Sequence, residues 1–152
     1  MAYLIVHNDP ITGIMAYTIP AMNLPRLPGE TELQLVHRIA HKDVPKDGRA
    51  FRVIDNSELP DQTGMDYLRN AWVDMGNSIV IDMAKARILH QRMLLAKRDE
   101  LLMSATVDAV LGDGAAKEKF QQLKNLDRIL PIQLAAISDV ATLRAFVPDA
   151  LK

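Results

Sequence analysis

The sequence predicts an α+β protein: a small ββαβ N-terminal head, followed by a long α-helix, an antiparallel helical hairpin and a short C-terminal helix. Three observations support this fold class. Strand-like runs alternate with turn residues over the first 55 or so positions. Residues 82–111 then run without Gly or Pro, which favours one long helix. Gly112-Asp113-Gly114 separates this stretch from a second helical one, and so short a break favours an antiparallel pair.

The composition limits the possible partners and classes. The chain has 152 residues, a net charge of −1, no Cys and only 5% aromatic residues. Such a length suggests one domain or two small ones, and a near-neutral charge gives no reason to expect nucleic acid or an anionic membrane as partner. No run approaches the roughly 20 apolar residues of a membrane span. The N-terminal MAYLIVHND lacks the basic start of a signal peptide.

The head is predicted to span residues 1–60. Residues 3–6 and 14–19 are strand-like and flank the turn sequence HNDPITG, as in a β-hairpin. Thr31 is placed to cap a helix over 32–41, and AFRVID at 50–55 is a third strand.

Residues 61–81 are predicted to be a linker with a short helix at 65–72 and an extended segment at 78–81. The helical region is then predicted to span 82–152. Asp82 is a plausible cap for the long helix. A second helix over 115–130 is expected to end at Pro131, and Ser138 is expected to cap a last helix over 139–146.

The long helix carries apolar residues at alternating spacings of three and four, the pattern of a coiled-coil seam. We expect these positions to form an oligomer or partner interface: Ala86, Leu89, Met93, Ala96, Glu100, Met103, Val107 and Val110. A second apolar column recurs every seven residues: Ile81, Ile88, Leu95, Leu102 and Ala109. A helix with two apolar columns needs neighbours on two sides, so the sequence predicts helix-mediated self-association.

Two residues each allow two interpretations. Glu100 is the charged member of the seam; it either sets register and partner or reaches water where the seam is shallow. Trp72, the only Trp, either packs at the junction between head and helices or is an exposed interface anchor.

The chain offers no recognisable catalytic constellation, and we expect no enzyme activity, no cofactor and no metal site. His37 and His41 have the spacing of a zinc pair, but Arg38 stands where a metalloprotease needs Glu. We interpret both as half-exposed surface residues and His7 as solvated. His90 falls between seam positions and is interpreted as a solvated or a flanking residue. The basic residues of the long helix are interpreted as a solvated face.

Two passages together resemble a known group of proteins. The first is DVPKDGRAFRVIDNSELPDQTGMDYLRNAWVDMG, and the second is IVIDMAKARILHQRMLLAKRDELL, followed by a helical hairpin and DVATLRAFVPDAL. Their order resembles that of small proteins encoded in the tail and virion-structure regions of tailed bacteriophages and prophages, over roughly residues 43–151. The chain departs from that pattern at Gly64-Met65-Asp66, which lengthens a loop. The resemblance brings no catalytic residue.

The resemblance implies a bacteriophage structural protein, in the virion or associated with the tail, that acts through protein–protein contacts. The expected partners are other copies of the chain, a trimeric coiled coil being one fitting assembly, and other virion or tail proteins. Its expected location is the host cytoplasm during assembly and then the virion. One alternative is a tail-fibre assembly chaperone that leaves before the particle is finished. Another is a small phage-encoded inhibitor or regulator of a host protein.

Overall fold

The structure is a computed structural model that describes residues 3–44, 46, 50–60, 66–110 and 114–152. The chain forms two compact units, Met1–Asp82 and Met83–Lys152, here called the N-terminal and C-terminal units. The first is built on small antiparallel sheets and the second on long helices, which confirms the predicted α+β class. The predicted loop lengthening at Gly64-Met65 and the predicted helix stop at Gly112-Asp113 lie outside the described residues.

A three-stranded antiparallel sheet forms the centre of the N-terminal unit. Its strands are β1 (Tyr3–Asn8), β2 (Met15–Thr18) and β3 (Phe51–Asp55), in the order β2-β1-β3. The register places Ile5 opposite Val53 and Leu4 opposite Ile54. Because β1 is central and covered on both faces, it is apolar at successive positions rather than at alternate ones.

Helix α1 (Glu32–Asp43) covers one face of this sheet. Thr31 and Gln34 form a reciprocal capping box at its start, which satisfies N–H groups that the helix itself leaves unbonded. The cluster under α1 consists of Ile5, Leu35, Val36, Ile39, Ala40 and Val44.

The other face is covered by residues that were expected to be a linker. A 3-10 helix, Asp66–Ala71, leads directly into β4 (Trp72–Asp74), which pairs with β5 (Ile79–Ile81). Trp72 and Ile79 pack with Leu4, Val6 and Ile54. Residues 66–81 therefore belong to the N-terminal unit, because their apolar side chains complete its core.

The C-terminal unit contains α2 (Met83–Val110), α3 (Gly114–Ala135), α4 (Val140–Ala145) and a final 3-10 turn, Asp149–Leu151. Along α2, the contacts with α3 and with the residues just after it run in the reverse chain order. Arg98 pairs with Asp127 of α3. Arg87, nearer the start of α2, donates to the carbonyl of Ile137, which lies just beyond the end of α3. The two helices are therefore antiparallel, as predicted.

Two predicted boundaries in this unit were wrong. Helix α3 does not end at Pro131 but continues to Ala135, because Leu130 and Leu134, four apart, are both buried on the same face. The cap of α4 is Asp139 rather than Ser138. The Asp139 carboxylate accepts a 2.8 Å hydrogen bond from the N–H of Thr142, which places the first helical residue at Val140.

Candidate interaction surface

Helix α2 buries one face inside its own unit. Leu94 is 1% exposed and packs with Leu123, Leu126 and Leu130 of α3. Further α2 residues are partly buried against the same cluster: Leu95, Leu101, Leu102 and Ala105. Of the second apolar column, Leu95 and Leu102 thus flank this face, while Ile88 stays 51% exposed.

The predicted seam lies on the opposite side of α2. With 3.6 residues per turn, a residue two positions further on is rotated by about 200°. Ala96 therefore faces away from Leu94, and Met103 away from Leu101. The exposed seam residues are here called the α2 stripe: Met93, Ala96, Glu100, Met103 and Val110. Met103 and Val110 are 79% and 80% exposed, so the hairpin leaves this apolar line uncovered.

The remaining seam positions differ in their surroundings. Ala86 is fully buried, and Leu89 is half-buried. The side chain of Val107 lies outside the described residues. The seam is thus buried at Ala86, half-buried at Leu89 and exposed from Met93 onward, a transition that the spacing alone does not reveal.

Charged side chains border the α2 stripe. Arg92 and Asp99 precede Met93 and Glu100 on one rim, and Lys97 follows Ala96 on the other. Asp99 accepts hydrogen bonds of 2.9 and 2.7 Å from Arg98, both at Oδ1. Within the described part of the chain, no hydrogen bond or ion pair involves Arg92, Lys97 or Glu100. The stripe is thus a mostly apolar line that Glu100 interrupts, with the charges of Arg92, Asp99 and Lys97 at its edges.

A buried histidine and a half-buried arginine near the start of α2 hold the C-terminal segment. His90 is 1% exposed, and its Nε2 donates a 2.9 Å hydrogen bond to the carbonyl of Phe146. Arg87 donates two hydrogen bonds, of 3.0 and 2.7 Å, to the carbonyl of Ile137. Desolvation lowers the pKa of His90, although the bond to Phe146 opposes it. His90 is therefore not solvated, which was one of the two interpretations of it, because the C-terminal segment covers it. That segment leaves no pattern in the α2 sequence.

Trp72 lies in the core of the N-terminal unit. It is 5% exposed, and its ring stacks on Tyr17 at a centroid distance of 6.3 Å. The Arg69 guanidinium lies 4.2 Å above the other aromatic ring, that of Tyr17, close enough for a cation–π attraction. Trp72 is therefore a packing residue of this unit, and the exposed part of the Arg69–Tyr17–Trp72 stack is its arginine.

An ion-pair network fastens β4 to the sheet in the same unit. Arg52 on β3 contacts Asp74 at 2.8 Å and Glu58 at 3.1 Å. Burial alone would raise the pKa of Asp74, but hydrogen bonds from Arg52 and from the Gly76 N–H outweigh it and the pKa is lowered. This network positions the β4–β5 hairpin.

The histidines of α1 lie against an aromatic ring. His37 and His41 have ring centroids 6.3 and 5.0 Å from that of Phe51. Among the described residues, no group of three or more His, Cys, Asp or Glu side chains could hold a metal ion. His7 was expected to be solvated, but it is only 9% exposed, because β1 is the central strand of its sheet. Within the same described ranges, no helix is both long enough and apolar enough to cross a membrane.

Comparison with protein-family models, with curated proteins and with solved structures finds no match to this chain. The α2 stripe offers methionine and aliphatic side chains on a helix with charged rims, which suits binding to another protein. Methionine adapts its shape to the surface it meets.

Proposed function

We propose that this chain is a bacteriophage structural protein, in the virion or associated with the tail, that acts through protein–protein contacts made by the α2 stripe. The observation that carries the contact is the exposure of Met103 and Val110, at 79% and 80%, in line with Met93 and Ala96. Rows of apolar residues left open on one helix face are typical of interaction sites. The phage assignment is supported by the order of sequence motifs described above.

The packing of α2 within the C-terminal unit favours binding through its exposed face. Leu94 and its neighbours fix one face against α3, so the stripe is presented on a helix that is already formed. Little ordering is then needed when a partner binds, which favours affinity. The many small and flexible side chains, with no Trp or Tyr on the stripe, favour packing of helix on helix.

The proposal is tested in particles produced with a tagged chain. Mass spectrometry of purified particles is expected to detect the wild-type protein at a fixed stoichiometry. Met103→Glu places a charge in the stripe and is expected to abolish incorporation without changing the circular dichroism spectrum. Ile132→Glu, at a 72% exposed position on α3, is the matched control and is expected to be incorporated normally.

The same experiment distinguishes the chaperone alternative. A chain found in assembly intermediates but absent from finished particles would be an assembly factor. Absence from both, or normal incorporation of the Met103→Glu variant, would contradict the proposed function of the stripe.

A further inference from the structure

We propose that two copies of this chain pair through their α2 stripes with the helices antiparallel, so that Arg92 of each copy lies beside Asp99 of the other. The inference rests on the proposed function, because it names a partner and an orientation for the same surface. It follows from the position of four charges relative to the exposed apolar residues.

The stripe has the layout of a pairing helix. Met93 and Glu100 are seven residues apart, and Ala96, Met103 and Val110 repeat at the same interval, so they form the two alternating columns of a seam. Arg92 and Asp99 lie along one rim, and Lys97 lies along the other. In a parallel pair, each rim meets the opposite rim of its partner; in an antiparallel pair, each rim meets its own equivalent.

A parallel pair in register brings like charges together. Glu100 then lies at the same level as Glu100 of the second copy, within the seam. The rim carrying Arg92 meets the rim carrying Lys97, and each cation faces another cation. Since like-charge contacts across an interface suppress the wrong arrangement, this charge pattern selects against parallel pairing.

An antiparallel pair brings opposite charges together. A two-fold axis passing beside Ala96 places Arg92 opposite Asp99, and symmetry makes the contact twice. Glu100, next to Asp99 in the chain, comes near the same Arg92, so its charge is neutralised within the seam. The small side chain of Ala96 at the axis allows the helices to approach closely.

The charges needed for this pairing are available on the surface. Arg92 is exposed and forms no ion pair with any other described residue. The Asp99 side chain is 63% exposed, and its bonds from Arg98 reach Oδ1 only. Oδ2 therefore accepts no hydrogen bond from the described residues and can bind the guanidinium of a second copy.

Charge reversal in the full-length chain gives opposite expectations for the two orientations. Sedimentation equilibrium is expected to show a dimer for the wild type, at least tenfold weaker association for Arg92→Asp, and recovery in the double variant Arg92→Asp, Asp99→Arg. If pairing were parallel, Arg92→Asp would instead strengthen association, because the new carboxylate would face Lys97. Lys117→Glu, on the exposed start of α3, is the control and is expected to leave association unchanged.

Disulfide trapping measures orientation directly, because the chain has no Cys of its own. The Ala96→Cys variant is expected to form a disulfide between two copies, because Ala96 is exposed and lies beside the two-fold axis. Met103→Cys alone is not, because antiparallel helices place the two copies of that position on the order of 20 Å apart. Cross-linking of Met103→Cys alone, or a wild-type chain that stays monomeric at high micromolar concentration, would overturn the inference. Either result would leave the particle-incorporation test of the proposed function unaffected.

Discussion

At the scale of single residues, His90 couples the C-terminal unit to pH. Its pKa is lowered in the folded chain by desolvation, so below its ordinary value of 6.5 the unfolded chain binds a proton that the folded chain does not. The free energy of unfolding is therefore expected to fall as the pH drops from about 6.5 through the folded-state pKa. Above this pH range, the free energy of unfolding is expected not to depend on the protonation of His90.

Urea unfolding of the wild type and of His90→Gln, from pH 7.5 to 5, measures this dependence. The stability difference between the two proteins is expected to shrink as the pH falls, because only the wild type has the histidine to protonate. A difference that stays constant over this range would show that His90 does not control the acid response.

Trp72 is a core residue whose truncation should destabilise the N-terminal unit. Trp72→Ala removes a large ring from a cluster that includes Leu4, Val6 and Ile79, and is expected to reduce the free energy of unfolding by about 3–5 kcal/mol. Chemical denaturation followed by circular dichroism measures the loss. Met103→Ala, at a 79% exposed position, should stay within about 0.5 kcal/mol of the wild type. A near-normal stability of Trp72→Ala would contradict its assignment to the core.

At the scale of elements, Pro131 is a weak point of α3. The proline ring removes the N–H that would bond to the Asp127 carbonyl and crowds the preceding turn, yet the helix continues to Ala135. Pro131→Ala is expected to raise the free energy of unfolding by about 1–2 kcal/mol, since the restored helix bond outweighs the greater freedom of the unfolded chain. Thermal unfolding compares it with Ile132→Ala, which should change stability little. A loss of stability in Pro131→Ala would show that the helix needs the proline's geometry.

Local chemistry identified most elements in the sequence. Thr31 in its capping box, the turn at Gly76 with its φ of +87°, and the Gly- and Pro-free run of α2 each determine structure within a few residues. Strand β4 was missed because Trp72 was assigned to the short helix predicted over 65–72, and only pairing with β5 decides that this residue is extended. The predicted helix end at Pro131 was wrong for a related reason. The burial of Leu130 and Leu134 outweighs the helix-breaking preference of proline.

The α2 stripe was predicted in part. The three-four spacing includes the exposed residues Met93, Ala96, Glu100, Met103 and Val110, but it also includes Ala86, which tertiary packing buries. The face that binds α3, centred on Leu94 and Leu101, falls between the two apolar columns read from the sequence. The spacing of apolar residues along a helix therefore predicts how many apolar faces the helix has. It predicts less reliably which part of the protein each face packs against.

At the scale of the whole molecule, each unit encloses its own apolar clusters. A truncation in one core is therefore expected to weaken amide protection in its own unit first. Hydrogen exchange measured by mass spectrometry on Leu130→Ala should show faster exchange in α2 and α3 than in the wild type. Equal acceleration in β1 and β3 would show that the two units unfold as one.

The pairing of β1 has a consequence for how the chain folds. β1 meets β2 across a turn of a few residues, where Asp9 holds the N–H groups of Ile11 and Thr12. It meets β3 only after an excursion of about forty residues, and the closure of so long a loop is slow relative to a hairpin. On the ribosome, β1 therefore has one bonded edge early and one open edge until Asp55 has emerged. During that interval the open edge of β1 presents unpaired N–H and C=O groups, through which an unfinished chain can pair with another chain.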